Sequence, residues 1–427
     1  MRNLLFLSYY FPPAGGVLRI VKLAKYLPRF GWHPLVVCPR PRGIYRFDPS
    51  LARDTARSEV FGTFSFDPAF LSAKRNDPSL ISRRRGLIGS VNSFFIPDSR
   101  IGWVPFAVRR GLQLARCRPI DAIFSSAPPY SSHLAGLILR RATGRPLVCD
   151  FRDAWSQPNP LSLGHAPWQR ALNRRLEARV VAGSDLVTAI NEPILSGLQG
   201  ISGKNVFQRQ VLDQGYDPED FPARPPAGRG DRPFTIAYTG TLTRHRKLDP
   251  LVAALSRLQT DRPDIVDTVR VVVAGVHSSQ DRSAVDASGL APAFEFHQYL
   301  SHDRVLEIIG GADALWMVIG RAEGPTVATS KIYEYLGTRT PILASVPLDG
   351  PAAKLVEQTG SGRAIDPDDV LGLATAIRDL HQRWKSGRPL FHGDAGTLAR
   401  YDRRFIAEKF ARTLDRLVGH HAPRPST

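Results

Sequence analysis

The sequence predicts an α/β protein made of two Rossmann-like domains that face each other across a cleft. Short apolar runs alternate with helical patterns along most of the 427 residues, which is typical of βαβ units and parallel sheets. The alternation occurs as two separate series, each long enough to form its own core. A segment rich in proline and glycine lies between them, VLDQGYDPEDFPARPPAGRGD at 211–231.

The first series begins with NLLFLS at 3–8, an apolar run that we predict to be a buried strand. The loop FPPAGG leads into a predicted helix over 17–30, in which apolar residues recur at helical spacing and Gly31 is the stop signal. The further strands predicted for this domain lie at 34–38, 121–126, 146–151 and 186–190.

The second series supplies the C-terminal domain, with strands predicted at 234–240, 269–275, 314–319 and 341–345. A last helical pattern at 403–418 can pack on either domain. The predicted organisation is an N-terminal domain over 1–205, a linker over 206–232, a C-terminal domain over 233–400, and a C-terminal helix and tail over 401–427 that can return to the N-terminal domain.

The net charge of +18 comes from arginine, because only nine of the 57 cationic residues are lysines. Such an excess attracts anions, which include nucleic acid, anionic membranes and phosphate-bearing substrates. The chain has no basic tail and no aromatic ribonucleoprotein motif, which argues against nucleic acid. An apolar content of 43% is ordinary for a folded protein.

Cysteine usage and hydropathy favour the cytoplasm. Cys38, Cys117 and Cys149 are far apart and form neither a disulfide framework nor a zinc motif, and two of them lie in apolar runs that predict buried thiols. The N-terminal run is too short for a signal peptide and is predicted to be a strand. No stretch of about 18 apolar residues occurs, so we expect no membrane-spanning helix.

Residues 69–117 interrupt the regular alternation and mix basic with aromatic residues. Such a mixture suits a membrane surface, where apolar groups insert and arginines meet anionic head groups. A long insertion with a solvated basic face is the alternative. The aromatic and aliphatic residues of this patch are Phe94, Phe95, Ile96, Trp103, Val104 and Phe106.

The loop after the first strand contains Gly15 and Gly16, just before a helix. Glycines there allow a ligand to approach the backbone, and the helix N-terminus offers N–H groups to an anion. A tight strand-to-helix turn explains them equally well. The full G-x-G-x-x-G fingerprint is missing, so a nicotinamide cofactor is not predicted. Arg19, in the helix that follows, and His133 are candidate acceptor-binding residues.

The segment CDFRDAW at 149–155 brings Asp150, Arg152 and Asp153 to the end of a buried strand. Open α/β sheets place their sites at such strand ends. Asp153 can act as a base or bind a sugar hydroxyl, and Arg152 can hold a phosphate. These three are the candidate catalytic residues, and a structural ion pair is the alternative interpretation.

The segment YTGTLTRHRKL at 238–248 places Gly240 at a strand end and follows it with Arg244, Arg246 and Lys247. Cations at this edge suit a diphosphate, whereas a basic loop facing solvent is the alternative.

The segment TSKIYEYLGTRTPILA at 329–344 has a cation and a carboxylate in the first turn of a predicted helix. Ser330 can cap that helix, and Lys331 with the helix N-terminus favours an anion. Glu334 can accept hydrogen bonds from a diol such as a ribose. A surface pair between Lys331 and Glu334 is the alternative. No metal-ligand cluster, nucleophile elbow or Walker A motif occurs in the chain, so no metal or cofactor is predicted.

Taken in order, these segments resemble glycosyltransferase family 4, which has the two-domain GT-B fold. The resemblance covers most of the chain and is closest to bacterial enzymes of exopolysaccharide or O-antigen synthesis. It implies an acceptor held by the N-terminal domain and a UDP- or GDP-sugar held by the C-terminal domain. It also implies transfer with retention of configuration, without a metal.

The resemblance implies roles for single residues. Gly15 and Gly16 would face the donor phosphates, Lys247 would bind the diphosphate, Glu334 would hold the ribose, and the pair Arg152–Asp153 would lie near the reacting sugar. Two departures from the family pattern stand out. Thr326 occupies the position of the first of two glutamates, and Thr241 that of a strand-end arginine, whose charge Arg244 and Arg246 can replace.

The sequence therefore predicts a glycosyltransferase that acts on a glycan or a polyprenyl-diphosphate-linked acceptor, with no nucleic-acid partner. We expect it to be cytoplasmic and peripheral on the inner face of the plasma membrane. A nucleotide-sugar epimerase of the same architecture, with His133 as its candidate histidine, is one alternative. A non-catalytic homologue that serves as a scaffold is another, because Thr326 replaces a glutamate.

Overall fold

The chain divides into two compact units, the first made of Met1–Gln214 with Arg403–Thr427 and the second of Gly215–Asp402. Each has its own parallel sheet flanked by helices, which confirms the predicted α/β class. The computed structural model describes residues 1–14, 17–42, 48–71, 95–156, 166–202, 208–221, 232–243, 245–321 and 330–421.

The first unit is built on a seven-stranded parallel sheet within these residues. Its strands are β1 (Arg2–Leu7), β2 (Trp32–Pro39), β3 (Glu59–Thr63), β4 (Ala122–Ala127), β5 (Leu147–Phe151), β6 (Leu186–Ala189) and β7 (Gln208–Val211). They lie in the order β3-β2-β1-β4-β5-β6-β7, so the order reverses between β1 and β4. The central strands are buried on both faces, as a parallel sheet between two helix layers requires.

Between these strands, the described residues form six helices: α1 (Leu18–Tyr26), α2 (Pro68–Leu71), α3 (Val104–Cys117), α4 (Ser131–Thr143), α5 (Pro167–Ala182) and α6 (Glu192–Ser202). The helix predicted over 17–30 is α1 followed by a 3-10 turn at Leu27–Phe30, which begins where Pro28 lacks a backbone donor. Gly31 ends it with φ 84°, as the sequence predicts.

The second unit has a six-stranded parallel sheet within its described part. Its strands are β8 (Phe234–Thr239), β9 (Val269–Ala274), β10 (Phe294–His297), β11 (Ala314–Val318), β12 (Ile342–Ser345) and β13 (Gly362–Ile365), in the order β10-β9-β8-β11-β12-β13. Its helices are α7 (Asp249–Asp261), α8 (Pro263–Val266), α9 (Ser279–Ala287), α10 (His302–Gly311), α11 (Lys331–Thr338), α12 (Pro351–Thr359), α13 (Val370–Lys385) and α14 (Ala395–Ala399).

The last helix, α15 (Arg403–His421), packs on the first unit. Its Ile406, Phe410 and Leu414 are buried in one apolar cluster with Phe6 of β1 and Phe124 of β4. The rings of Phe124 and Phe410 have centroids 5.4 Å apart. The sequence pattern left open which domain this helix covers, and its apolar face is covered by β1 and β4.

The strands that the sequence missed are β3, β7, β10 and β13, which lie at or beside the sheet edges. Edge strands need only partial burial, so they carry polar residues, as in QRQV of β7 and GRAI of β13. The linker predicted over 206–232 therefore begins too early, because Gln208–Val211 pairs with β6. The division between the units falls after Gln214.

Two of the three cysteines are buried, as their apolar context predicts. Burial raises the pKa of Cys38 to about 12 and that of Cys149 to about 11, so both thiols stay protonated and unreactive. Cys117 is exposed at the end of α3.

A buried ion pair ties α1 to the middle of the first sheet. Nη2 of Arg19 lies 2.7 Å from Oδ1 of Asp150 and Nε lies 3.1 Å from Oδ2, and the two residues are 4% and 0% exposed. Ser126 of β4 and Thr188 of β6 donate hydroxyl hydrogen bonds to the same carboxylate at 2.9 and 2.8 Å. Arg19 also donates to the carbonyl oxygen of Asp213 at 2.9 Å.

This network contradicts the roles predicted for two site residues, Asp150 and Arg19. Burial by itself would raise the pKa of Asp150, but Arg19 and the two hydroxyls outweigh it and hold that pKa below its ordinary value. The carboxylate is thus ionised, fully engaged and out of reach of a substrate. We assign Asp150 and Arg19 to the packing of the sheet instead of to catalysis and acceptor binding.

Removing Arg19 should destabilise the first unit strongly. Arg19→Met leaves Asp150 as an uncompensated buried charge, which should lower the free energy of unfolding by about 3–5 kcal/mol. Arg19→Met/Asp150→Leu removes both charges and should recover most of that loss. Denaturant unfolding followed by circular dichroism measures both variants.

Arg2→Ala is the matched control, because Arg2 pairs with Asp415 where both side chains are about half exposed. It should change the free energy of unfolding by less than about 1 kcal/mol. A similar small effect for Arg19→Met would contradict a structural role for the buried pair.

Candidate functional site

The carboxyl ends of the strands in the second unit are lined by glycines where backbone segments touch. Gly240 follows β8 with φ 115°, and Gly275 follows β9 with φ 135°, conformations that other residues rarely adopt. A Cβ atom on Gly275 would lie 2.1 Å from the carbonyl oxygen of Gly240, and one on Gly320 would lie 2.2 Å from that of His245. At this edge, the surface is therefore formed by backbone atoms.

Lys331 reaches across from α11 to the end of β8. Its Nζ donates to the Tyr238 hydroxyl at 3.2 Å and lies 4.6 Å from the centre of that ring, a cation–π distance. The side chain covers Gly240 so closely that a Cβ there would lie 2.1 Å from Lys331 Cε. The ammonium group is therefore held against the glycine turn.

A second side chain anchors α11 to the same strand end. The Thr239 backbone N–H donates to the Tyr335 hydroxyl at 3.0 Å, and Tyr335 is fully buried. Burial raises the pKa of this phenol to about 12, so it remains a neutral hydrogen-bonding group. Because Tyr335 fixes the helix, the positions of Lys331 and Glu334 relative to β8 are fixed as well.

Glu334, one turn into α11, is bonded to a histidine that the sequence analysis missed. Nε2 of His302, the first residue of α10, lies 2.7 Å from Glu334 Oε1. His302 is 8% exposed and the Glu334 side chain 16%. Glu334 and Lys331 therefore reach different partners, in place of the surface pair that was the alternative. A histidine at a helix start carries no sequence signal for such a contact.

The other predicted donor-binding residues in this unit are less tightly held. Ser330 precedes α11 and is exposed, but its side chain makes no capping hydrogen bond, so the predicted cap is wrong. Arg246 is partly buried, and its backbone pairs with that of Thr243. Lys247 is 57% exposed, with Nζ 3.7 Å from Asp249 Oδ2. Arg244 and Thr326 lie outside the described residues.

In the first unit, Arg152 and Asp153 directly follow the end of β5. Arg152 donates its Nε hydrogen to the carbonyl oxygen of Ala127 at 3.2 Å and also bonds the carbonyl of Pro128, so its guanidinium is held at the end of β4. Asp153 is exposed, and within the described part of the chain no hydrogen bond or ion pair engages its carboxylate. Desolvation by the surrounding protein raises the pKa of Asp153, against the attraction of Arg152.

Aromatic residues shape the surroundings of Asp153. Tyr130 donates its hydroxyl to the carbonyl oxygen of Ala154 at 2.7 Å, and its ring stacks on Trp155 with centroids 4.7 Å apart. The loop that carries Asp153 is thus braced against the start of α4. Gly15 and Gly16, predicted to face the donor phosphates, lie outside the described residues.

His133 is placed in the core and not at a surface. It is 0% exposed, and its Nδ1 shares a hydrogen bond with the Ser125 hydroxyl at 2.8 Å. Burial lowers its pKa to about 3, so the ring is neutral at physiological pH. An acceptor cannot contact this imidazole, and the epimerase alternative loses its candidate histidine.

Sequence reasoning also missed a polar cluster after β1. The Tyr9 hydroxyl donates to Asp67 at 2.5 Å, and Arg100 forms an ion pair with the same carboxylate at 2.6 Å. Arg100 Nε lies 3.4 Å from the hydroxyl of Tyr10, which is exposed. Tyr10 and Arg100 come from segments 90 residues apart, and no sequence spacing connects them.

The first unit carries an exposed aromatic surface. Phe64 and Phe66 are 38% and 63% exposed, and both rings contact Phe106 of α3 with centroids 5.2 and 5.3 Å apart. We call Phe64, Phe66 and Phe106 the aromatic surface. Arg42 lies 5.5 Å from the neighbouring Phe70 ring.

The structure contradicts part of the prediction that residues 69–117 form a membrane surface. Trp103 is 0% exposed and donates its indole N–H to Thr63 at 2.8 Å, and Val104 is also buried, so neither faces a membrane. Phe106 is partly exposed, as predicted, whereas Phe94 lies outside the described residues. Phe95 and Ile96 are both partly exposed. No helix in the described part of the chain is both long and apolar enough to cross a membrane.

Two protein-family models match the chain. The model described as "Glycosyl transferase 4-like domain" matches residues 14–212, and "Glycosyl transferases group 1" matches residues 233–383. No curated protein sequence matches the chain significantly.

Solved structures of the same fold cover nearly the whole chain. HepE of Anabaena, solved with UDP and glucose, is 18% identical over 97% of this chain and 100% of its own, with a TM-score of 0.63. Sucrose-phosphate synthase from Thermosynechococcus elongatus is 15% identical over 98% and 100%, with a TM-score of 0.67. The lipopolysaccharide outer core galactosyltransferase WaaB is 13% identical over 97% and 99%, with a TM-score of 0.57.

A side chain at Gly240 should disturb both the backbone and Lys331. Gly240→Ala adds strain of about 1–3 kcal/mol at φ 115° and also displaces the lysine from the glycine turn. We expect the second unit to melt several degrees lower, as measured by differential scanning calorimetry.

Gly289→Ala is the matched control, because Gly289 also has a positive φ of 75° but nothing lies within 4 Å of an added Cβ. This substitution should lower the free energy of unfolding by about 1 kcal/mol, the ordinary cost of placing a residue other than glycine in a left-handed conformation. If the two variants lose the same stability, the contact with Lys331 does not contribute to the cost of a side chain at Gly240.

Proposed function

Because the chain belongs to the glycosyltransferases of the two-domain GT-B fold, we propose that it moves a sugar from a nucleotide-sugar to a glycan or lipid-linked acceptor in cell-surface polysaccharide synthesis. The donor is proposed to bind the second unit, and the acceptor the first. The HepE structures, solved with UDP and glucose and with UDP-glucose, support a nucleotide-sugar donor.

The observation that carries the donor site is the pair of side chains on the first turn of α11. Lys331 is held at the glycine turn after β8, and Glu334 lies one turn further along the same helix. A cation and a carboxylate at the carboxyl edge of a parallel sheet match the two polar ends of a nucleoside diphosphate, its phosphates and its ribose. The glycines at this edge let a ligand contact the backbone.

In the proposed reaction, the bond between the anomeric carbon and the diphosphate oxygen breaks, and the acceptor hydroxyl oxygen bonds to that carbon and loses its proton. Lys331 and the N-terminus of α11 stabilise the negative charge that develops on the leaving diphosphate. Lys247, by its resemblance to the family lysine, adds a second cation. Glu334 holds the ribose diol.

Lys331 also offers an answer to one departure from the family pattern. Thr241 stands where the family has a strand-end arginine, and the Tyr238 hydroxyl that contacts Lys331 donates in turn to the Thr241 carbonyl oxygen at 3.2 Å. The Lys331 ammonium group therefore lies beside the main chain of that turn. We propose that it supplies the missing positive charge.

On the acceptor side, we propose that Asp153 contacts the transferred sugar or takes the acceptor proton. A raised pKa and a carboxylate that no described residue engages by a hydrogen bond or ion pair are the properties expected of a general base. By the family resemblance, transfer retains the anomeric configuration and needs no metal. Proton NMR of the product and an assay with EDTA decide these two points.

We further propose that the enzyme works at an anionic membrane, which the aromatic surface contacts. Phe64 and Phe66 are exposed apolar groups, and Arg109 and Arg110 follow Phe106 on α3. Arg110 lies 5.7 Å from the ring of Phe61, in the strand that precedes Phe64. Insertion of aromatic rings beside arginines, in a chain with a net charge of +18, suits lipid head groups that are negatively charged.

Loss of Lys331 should impair turnover more than binding. Lys331→Ala should lower kcat about 100-fold, the usual cost of removing a group that stabilises transition-state charge. Glu334→Ala should raise the donor KM about tenfold with a smaller change in kcat. The assay is release of UDP or GDP from a panel of nucleotide-sugars, after a thermal-shift screen that selects the donor.

Lys354→Ala is the matched control, since Lys354 is an exposed lysine of the same unit on α12. Its kinetic constants should equal those of the wild type. Binding of a nucleotide-sugar without any transfer would favour the scaffold alternative, and no binding of any nucleotide-sugar would refute the proposed function. Lys247→Ala tests the family lysine in the same assay.

The aromatic surface should decide vesicle binding. Phe64→Ser/Phe66→Ser removes two exposed rings, each worth about 1.5–3 kcal/mol when fully buried, so even partial insertion predicts a tenfold or greater loss of binding. Co-sedimentation with phosphatidylglycerol-containing vesicles measures it, and vesicles of phosphatidylcholine alone should bind weakly.

Phe405→Ser is the matched control, because Phe405 is 49% exposed on α15, away from the aromatic surface. It should leave vesicle binding unchanged. If the wild-type protein fails to sediment with anionic vesicles, or if both variants bind as it does, the membrane proposal is wrong.

A further inference from the structure

The contact between His302 and Glu334 joins two helices that both begin at the carboxyl edge of the second sheet. His302 is the first residue of α10, which follows β10, and Glu334 is the fourth residue of α11. The 2.7 Å distance and the low exposure of both side chains make this a well-shielded hydrogen bond. The carboxylate oxygen accepts this hydrogen bond, so the imidazole donates it through Nε2–H, either as the neutral tautomer with its proton on Nε2 or as the charged ring.

The geometry leaves part of the carboxylate available to a ligand. Oε1 of Glu334 receives the imidazole, and a carboxylate has a second oxygen with two further lone pairs. A glutamate without such a partner samples several rotamers, and ordering it on ligand binding costs side-chain entropy. A hydrogen bond that fixes Oε1 removes much of that cost before the ligand arrives.

We propose that His302 is a positioning residue for the donor nucleotide: it holds Glu334 in the orientation in which the carboxylate accepts hydrogen bonds from the ribose diol. This inference rests on the proposed function, since it takes Glu334 as the ribose contact. His302 itself does not touch the nucleotide and acts through Glu334.

A purely structural tie between α10 and α11 makes a different prediction. If the contact only stabilised the fold, its loss would weaken every nucleotide equally or merely lower the melting temperature. A positioning role predicts a selective loss, confined to ligands that carry the diol. A nucleotide without the 2′-hydroxyl is therefore the informative probe.

The experiment measures dissociation constants by isothermal titration calorimetry for UDP, GDP and their 2′-deoxy counterparts, and uses the base that the wild-type protein binds. The wild-type protein should prefer the ribonucleotide at least tenfold, since hydrogen bonds to a charged group are worth that much. His302→Ala should reduce this preference to about threefold or less. In the transfer assay it should raise the donor KM with little change in kcat.

Two further variants make the result specific. His302→Gln retains an N–H donor of similar reach and should restore most of the preference for the ribonucleotide. His33→Ala removes the histidine of a comparable pair in the first unit, where Nε2 of His33 lies 2.9 Å from Glu59 Oε1, and should change nothing.

Glu334→Ala separates failure of this inference from failure of the proposed function. If Glu334→Ala keeps the wild-type preference, Glu334 does not contact the diol, and the proposed donor site is itself wrong. If Glu334→Ala loses the preference but His302→Ala keeps it, the donor site stands and the positioning role of His302 is refuted. Loss in both, with recovery in His302→Gln, supports the inference.

Discussion

Burial of parallel strands on both faces is the constraint on which each unit depends. A strand between two helix layers can carry few polar side chains, so polar chemistry is confined to the strand ends. Asp150 is an exception in the first unit, because it lies inside β5 with no exposed surface. Arg19, Ser126 and Thr188 satisfy its carboxylate and thereby join α1, β4, β5 and β6. Loss of one of these partners would leave an uncompensated charge in the core, which explains why a full set of donors surrounds the Asp150 carboxylate.

The same constraint shapes the edge of the second unit where we propose that the donor binds. Glycines at the ends of β8 and β9 bring the backbone of one turn against the next, and no side chain from these turns can fill the space. The proposed donor-binding groups come instead from α11, which Tyr335 anchors to β8. Lys331 and Glu334 are thus placed by a helix and held by Tyr238 and His302. Each proposed contact with the donor has a supporting contact within the protein, as precise sites require.

Sequence patterns predicted residues at strand ends well when the chemistry was local. Lys331 and Glu334 became candidates because they share one helix turn beside a strand-like run, and the structure shows Lys331 in contact with Tyr238 and Glu334 in contact with His302. Asp150, Arg19 and His133 were misjudged because their spacing cannot reveal depth. Asp150 and His133 lie at or soon after a strand end and Arg19 lies in the helix after the glycine loop, yet all three side chains are buried in the first unit. The edge strand β7 was missed because its half-buried residues lack an apolar run.

The sequence by itself determined the α/β class, the central strands of both sheets, the family resemblance and the cation and carboxylate of α11. These follow from local periodicity and from short motifs, which depend on neighbours along the chain. Only the tertiary structure decided that Asp150 is a core ion, that α15 packs on the first unit, and that His302 meets Glu334. The paired residues are 32 positions apart for His302 and Glu334 and 131 for the Arg19–Asp150 ion pair, and α15 is still further along the chain from β1 and β4. The energies of such contacts depend on burial and on distance in space. No pattern of neighbouring residues encodes either quantity, because both arise only when the sheet and its helices have assembled.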